Sequence, residues 1–193
     1  MKHIILSGSS RKNSTSLLVS KAIAKNIIGQ GEEQTDILSF ENYDIPFFNQ
    51  PLNKDSLSLF QTQLYEAMSK ADCIIFVTPE YNWFPSAEVI QLIHRFGGKE
   101  YEELWQNKVF SFVGVSTGRG GRMPMVQLGY VVDKILSVFN FQSITNPKSF
   151  EVQFAGKVLD SEGNSLGSAE FDKGLSAFVS HHISLAKRWH REE

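Results

Sequence analysis

Only one cysteine, Cys73, occurs in 193 residues. An intrachain disulfide is therefore excluded, and so is a cysteine-rich metal centre. Cys73 sits inside C-I-I-F-V, where a small buried apolar residue is its plainest role. An excess of one charge is also missing: 19 Lys and Arg stand against 21 Asp and Glu, a formal net charge of −2. No global basic field exists to hold nucleic acid or an anionic membrane, and the cations are scattered rather than blocked. No apolar run approaches transmembrane length, and the apolar stretch in M-K-H-I-I-L-S-G-S-S is too short for a signal peptide. A soluble cytoplasmic protein without nucleic-acid or membrane partners is the expectation. His3, His94, His181, His182 and His190 show no H-E-x-x-H or comparable spacing, so no metal site is expected.

What the chain does have is alternation. Short β-rich runs at 3–7, 35–40, 72–77, 108–115 and 141–145 are interleaved with helix-period segments at 17–28, 58–70, 86–98, 127–139 and 170–189. Ser168 is placed to cap the last helix, with Glu170 in its first turn. Residues 41–55, with Asp44, Pro46 and Pro51, are expected to be irregular. Five strands, each followed by a helix, imply an α/β fold: a doubly wound, five-stranded parallel sheet with helices on both faces. Near-continuous apolar strands agree, because such strands are buried on both sides. Without repeats or linkers, residues 1–193 are read as one domain.

In such sheets, ligands bind outside the carboxyl ends of the strands, at the switch point. Three loops are expected to meet there: S-G-S-S-R-K-N-S-T-S after the first strand, T-P-E-Y-N-W-F-P after the third and S-T-G-R-G-G-R after the fourth. The first combines hydroxyls, a cation and a helix N-terminus, which suits a phosphate, or serves simply as a turn with N-cap serines. It is neither G-x-x-x-x-G-K-[ST] nor G-x-G-x-x-G. The second is stiffened by proline and offers Tyr81, Trp83 and Phe84 as an aromatic wall, or else Trp83 and Phe84 simply fill a core gap or a subunit interface. Glycines in the third permit close backbone approach to a ligand. A phosphate cradle, an aromatic wall and a glycine loop on one rim suit a phosphorylated flat heteroaromatic such as flavin mononucleotide (FMN).

These motifs resemble the NADPH-dependent FMN reductase family of flavodoxin-like proteins. S-G-S-S-R-K-N-S is similar to that family's G-S-x-R-x-x-S phosphate loop, T-P-E-Y-N to its P-E-Y-N signature and S-T-G-R-G-G-R to its glycine-rich segment. The resemblance implies that Ser9, Arg11, Ser14, Thr15 and Ser16 hold the FMN phosphate. It places Pro79, Glu80, Tyr81 and Asn82 along the isoalloxazine, with Trp83 beside them, and Ser116, Thr117, Gly118 and Gly121 at its pyrimidine edge. Trp83 stands where the family usually has a small residue, and S-A-E-V-I-Q lacks the lysine usual in the following helix.

The implied reaction is hydride transfer from NADPH or NADH through FMN to a small acceptor: a flavin, quinone, azo or nitro compound. No side chain need act as nucleophile or base, so no catalytic residue is assigned. A homodimer or homotetramer is implied by family habit. The alternative is a flavodoxin-like electron carrier or a flavin-binding regulatory protein without turnover.

Overall fold

The computed structural model describes residues 1–191. Five strands form the expected parallel sheet: β1 (His3–Ser7), β2 (Thr35–Ser39), β3 (Cys73–Pro79), β4 (Val109–Val115) and β5 (Ile144–Thr145), in the order β2-β1-β3-β4-β5. Every pairing is parallel, with His3 opposite Thr35 and Cys73, and Cys73 opposite Val109. A sixth strand, β6 (Phe150–Val152), also pairs with β4. Since β3 occupies one edge of β4, β5 and β6 share the other: β5 covers its first two residues and β6 its last three. The expected strand at 141–145 is thus shorter, and its lane is completed after a break. Asn146 still donates its N–H to the Phe110 carbonyl at 2.7 Å, but Pro147 has no N–H to continue the ladder.

The helices are α1 (Thr15–Gly29), α2 (Leu59–Lys70), α3 (Ala87–Phe96), α4 (Arg122–Phe139), the short α5 (Ala155–Val158) and α6 (Ala169–Trp189). Serines begin four of them. Ser14, Ser58, Ser86 and Ser168 each accept an N–H from the first helical turn, and Ser58 with Gln61 completes a capping box. α4 starts five residues earlier than its periodicity predicts. Gly121 supplies a left-handed N-cap, and Pro124 is tolerated in the first turn, where its missing N–H has no intrahelical acceptor.

Alternation along the strands divides the core. Ile4, Leu6, Ile74, Phe76, Phe110 and Phe112 pack against α2, α3 and α4. Ile5, Ile75, Val77 and Val113 point the other way, onto α1 and α6. With both faces covered, the loops after β1, β3 and β4 stand at the carboxyl edge of the sheet, where doubly wound folds bind ligands. No helix among the described residues is long and apolar enough to cross a membrane.

Candidate functional site

The loop after β1 is held by backbone contact. Gly8 donates its N–H to the Val77 carbonyl at 2.8 Å, and its carbonyl accepts the Ser86 hydroxyl. A Cβ at Gly8 would lie 2.3 Å from Cγ2 of Val89, so this approach to the start of α3 requires glycine. Ser9 follows, fully buried, with Oγ 3.4 Å from the Tyr81 hydroxyl. The exposed Arg11 guanidinium lies 5.0 Å from the centre of the Tyr81 ring. Ser14 caps α1, and Thr15 and Ser16 occupy its first two positions. Their N–H groups have no intrahelical acceptor, and the helix dipole favours an anion there. Ser16 Oγ is buried and unpartnered, as is Ser7 Oγ one strand residue before the loop.

Two carboxylates touch the same loop. Glu88, in the first turn of α3, accepts both the N–H and the hydroxyl of Ser10. Glu41 accepts the Asn13 N–H at 2.8 Å. Sequence reasoning missed both, because each comes from a distant segment. The only local hint was an acid in the first turn of α3.

After β3, the chain forms a two-residue hairpin. Tyr81 and Phe84 exchange backbone hydrogen bonds at 3.0 Å, and Asn82 and Trp83 between them have φ of 49° and 66°. Paired positive φ values belong to a type I′ turn, which is natural for asparagine and strained for a bulky tryptophan. Trp83 is 71 % exposed and Phe84 62 %. Neither fills a core gap; together they form an aromatic lip.

The third loop is pressed onto the second. Glu80 donates its N–H to the Val115 carbonyl at 2.8 Å, and Oε2 of its side chain accepts the Gly121 N–H at 2.6 Å. Gly120 packs so closely that a Cβ there would lie 2.2 Å from Glu80 Oε1. Gly114 is equally constrained, since its Cβ would be 1.7 Å from the Gly121 carbonyl oxygen. Ser116 donates its N–H to Val152 at 2.8 Å, and its Oγ accepts the Gly118 N–H at 3.3 Å. Over Gly118 a Cβ would meet nothing within 4 Å, and Thr117 is exposed.

The three loops therefore share one rim. Ser9 and Arg11 meet Tyr81, and Glu80 meets Gly121, tying Pro79–Asn82 to both neighbours. A separate hollow of about 550 Å³ is lined by Phe48, Ile93, Tyr101, Tyr130 and Ile135, and shares no residue with these loops. That hollow is also lined by His94, Arg95 and Lys134, whereas the rim sets serine hydroxyls beside the free N–H groups of the α1 N-terminus. Its chemistry fits FMN: an unpartnered hydroxyl and free helix N–H groups for the phosphate, and an aromatic and glycine-bordered shelf for the ring.

The strand order β2-β1-β3-β4-β5 defines a flavodoxin-like α/β fold. Residues 1–147 match the family model described as NADPH-dependent FMN reductase, and the chain belongs to that family. It is an FMN-dependent NAD(P)H oxidoreductase. Solved structures share the fold. FerB, a flavoenzyme NAD(P)H:(acceptor) oxidoreductase from Paracoccus denitrificans, is 19 % identical with a TM-score of 0.74, over 97 % of this chain and 98 % of that one. A WrbA-like flavodoxin from Agrobacterium tumefaciens is 16 % identical with a TM-score of 0.61, over 97 % and 98 %. An azoreductase from Bacillus anthracis str. Sterne is 12 % identical with a TM-score of 0.55, over 97 % and 100 %. No curated protein matches the sequence.

Proposed function

We propose that the three-loop rim is the FMN site and that residues 1–193 act as one FMN-binding reductase domain. The N–H groups of Thr15 and Ser16 at the α1 N-terminus, the hydroxyls of Ser9, Ser14 and Ser16, and the Arg11 guanidinium would hold the phosphate. Pro79–Asn82 and Trp83 border the ring, and Ser116, Thr117, Gly118 and Gly121 line its polar edge. FMN held there would supply the hydride chemistry between NAD(P)H and the acceptor. The chain's own part is to bind, orient and restrict access. Arg11 is steadied by the Tyr81 ring, and Glu80 fixes the spacing between the second and third loops.

The acceptor class is a small flat molecule, such as a quinone, an azo or nitro compound or a second flavin. Supporting this is the lip of Trp83 and Phe84, large aromatic faces left open beside the ring site. One observation carries the reading: Tyr81 and Glu80, adjacent in sequence, each clamp a different neighbouring loop.

The protein works as a cytoplasmic homodimer or homotetramer. In favour is the exposed stripe Met123, Val126 and Tyr130 along α4, continuous with the lip through the Gln127 side chain, which donates to the Trp83 carbonyl at 3.3 Å. Steady-state NAD(P)H oxidation with each acceptor class tests the activity, and sedimentation of Tyr130→Asp against the parent tests the interface. Acceptor-dependent turnover and a smaller particle for Tyr130→Asp are expected. A chain that never consumes NAD(P)H is an electron carrier or binding protein instead.

A further inference from the structure

On the face of the sheet that meets α6, a run of polar side chains interrupts the hydrocarbon core. His3 and Cys73 are neighbours across β1 and β3, and Ser111 lies on β4 opposite Ile75, pointing to the same side. His182 of α6 reaches down between them. His3, Cys73, Ser111 and His182 are all 0 % exposed. His3 Nδ1 and His182 Nε2 are 3.1 Å apart, and the possible ligand atoms of His3, Cys73 and His182 all lie within 4.8 Å of one another.

Each imidazole also has an outer partner. His182 Nδ1 is 2.8 Å from Ser111 Oγ, which in turn accepts an N–H from Asn146 at 3.1 Å. His3 Nε2 is buried without a hydrogen bond and faces the Glu32 carboxylate at 3.6 Å. One nitrogen of each ring thus lies near the thiol, while the other faces a carboxylate or a hydroxyl, as the outer nitrogens of metal-binding histidines do.

We propose that His3, Cys73 and His182 form a buried three-coordinate site for copper(I), through His3 Nδ1, His182 Nε2 and Cys73 Sγ. With metal bonds of about 2.0–2.3 Å, trigonal ligands stand about 3.5–4 Å apart. The two nitrogens then part by roughly half an ångström from their present hydrogen bond, within the reach of side-chain rotation.

Charge selects the ion. Two neutral imidazoles and one thiolate carry a single negative charge, which a monovalent cation cancels. A divalent ion leaves a net positive charge in the core, and Glu32 is already engaged by the N-terminal ammonium at 3.4 Å and Lys187 at 3.1 Å. The soft sulfur and borderline nitrogens also prefer copper(I) among the monovalent ions of biology.

Binding needs no proton from the histidines: burial lowers His3 below its ordinary value and takes His182 down to about 3. Burial likewise pushes the Cys73 thiol up to about 12. One copper(I) therefore replaces one thiol proton, forming the S–Cu bond as S–H breaks and releasing that proton to water. No electron is transferred.

The test is anaerobic loading of the purified full chain with copper(I), in competition with the chelator bathocuproine disulfonate, followed by copper-edge X-ray absorption. One copper per chain is expected to resist the chelator, with one sulfur and two imidazoles around it. Cys73→Ser, close in volume, should bind at least 100-fold more weakly. Because the absorption spectrum is read on the unaltered chain, the result does not depend on that variant folding. Silver(I), which is redox-inert, should displace copper with the same stoichiometry and shift the imidazole resonances of His3 and His182. The proposal is overturned by a chain that yields all its copper to the chelator, by a sulfur-free shell or by unchanged binding in Cys73→Ser.

Discussion

Glu80 Oε2 accepts the Gly121 N–H at 2.6 Å, so the loop after β3 is tied to the loop after β4. The bond does two things at once. It satisfies an orphan donor at the α4 N-cap, and it places a negative charge at the positive end of that helix. Replacing Glu80 with Ala is expected to cost about 1.5–3 kcal/mol of stability, the usual range for a hydrogen bond to a charged group. FMN affinity should fall roughly tenfold or more, because the glycine loop loses its anchor. Thermal melts and fluorescence titration with FMN measure both. Glu80→Gln, which keeps an acceptor oxygen, should recover most of the loss.

The phosphate end can be dissected by comparing FMN with riboflavin. Arg11→Ala should weaken FMN by roughly tenfold, about 1.4 kcal/mol, while leaving riboflavin affinity nearly unchanged. A phosphate held at the α1 N-terminus would also meet the charge of the Glu88 carboxylate, which accepts the Ser10 N–H. Glu88→Gln removes that charge and is expected to tighten FMN a few-fold, again without affecting riboflavin. Equal changes for the two ligands would place the phosphate elsewhere.

Trp83 occupies a turn position that suits glycine. With φ of 66° at Trp83 after 49° at Asn82, Trp83→Gly creates the Asn-Gly pair that type I′ turns prefer. A stabilisation of about 1 kcal/mol is expected from relief of strain, read as a rise in melting temperature. Acceptor KM should rise at the same time, since the lip loses its largest face. A variant that is more stable and poorer in acceptor binding would show that the strained tryptophan is kept for function.

Acid should unfold the protein early. His3 and His182 have folded pKa values below their ordinary 6.5 because both are buried, His182 down to about 3. Below about pH 6.5 the unfolded chain takes up protons that the folded chain refuses. Stability is therefore full above that pH and declines as pH falls towards 3. His182 alone contributes a slope of about 1.4 kcal/mol per pH unit across that window, and His3 acts in the same direction. Urea denaturation between pH 7 and pH 4 should show it, and His182→Gln should have a shallower slope.

How much of this was legible in the sequence depends on how local each feature is. Ser14, Ser168 and the apolar strands signal themselves within a few residues, so the sheet and most helix limits were readable. So were the three loops, because their residues are contiguous and strand order carries them to one rim. Trp83 was conspicuous in sequence, but its place in a left-handed turn was not, since nothing local requires a tryptophan there. β6 was missed because three residues after Pro147 make no periodic signal. The start of α4 is not legible in sequence, because Gly120, Gly121 and Pro124 read as loop until the Glu80 carboxylate takes the Gly121 N–H. Glu88 on Ser10, and His3 beside Cys73 and His182, depend wholly on tertiary contact. Residues separated by 78 or 179 positions carry no spacing rule.

The central claim is that the rim around Tyr81 and Glu80 holds an FMN that NAD(P)H can reach. Its most direct test is the visible spectrum of the purified chain, supplemented with FMN and titrated with NADPH in the absence of oxygen. A flavin band that shifts on binding and bleaches with one equivalent of NADPH is the expected result. No binding with FMN in excess, or a bound flavin that NADPH leaves coloured, would contradict it.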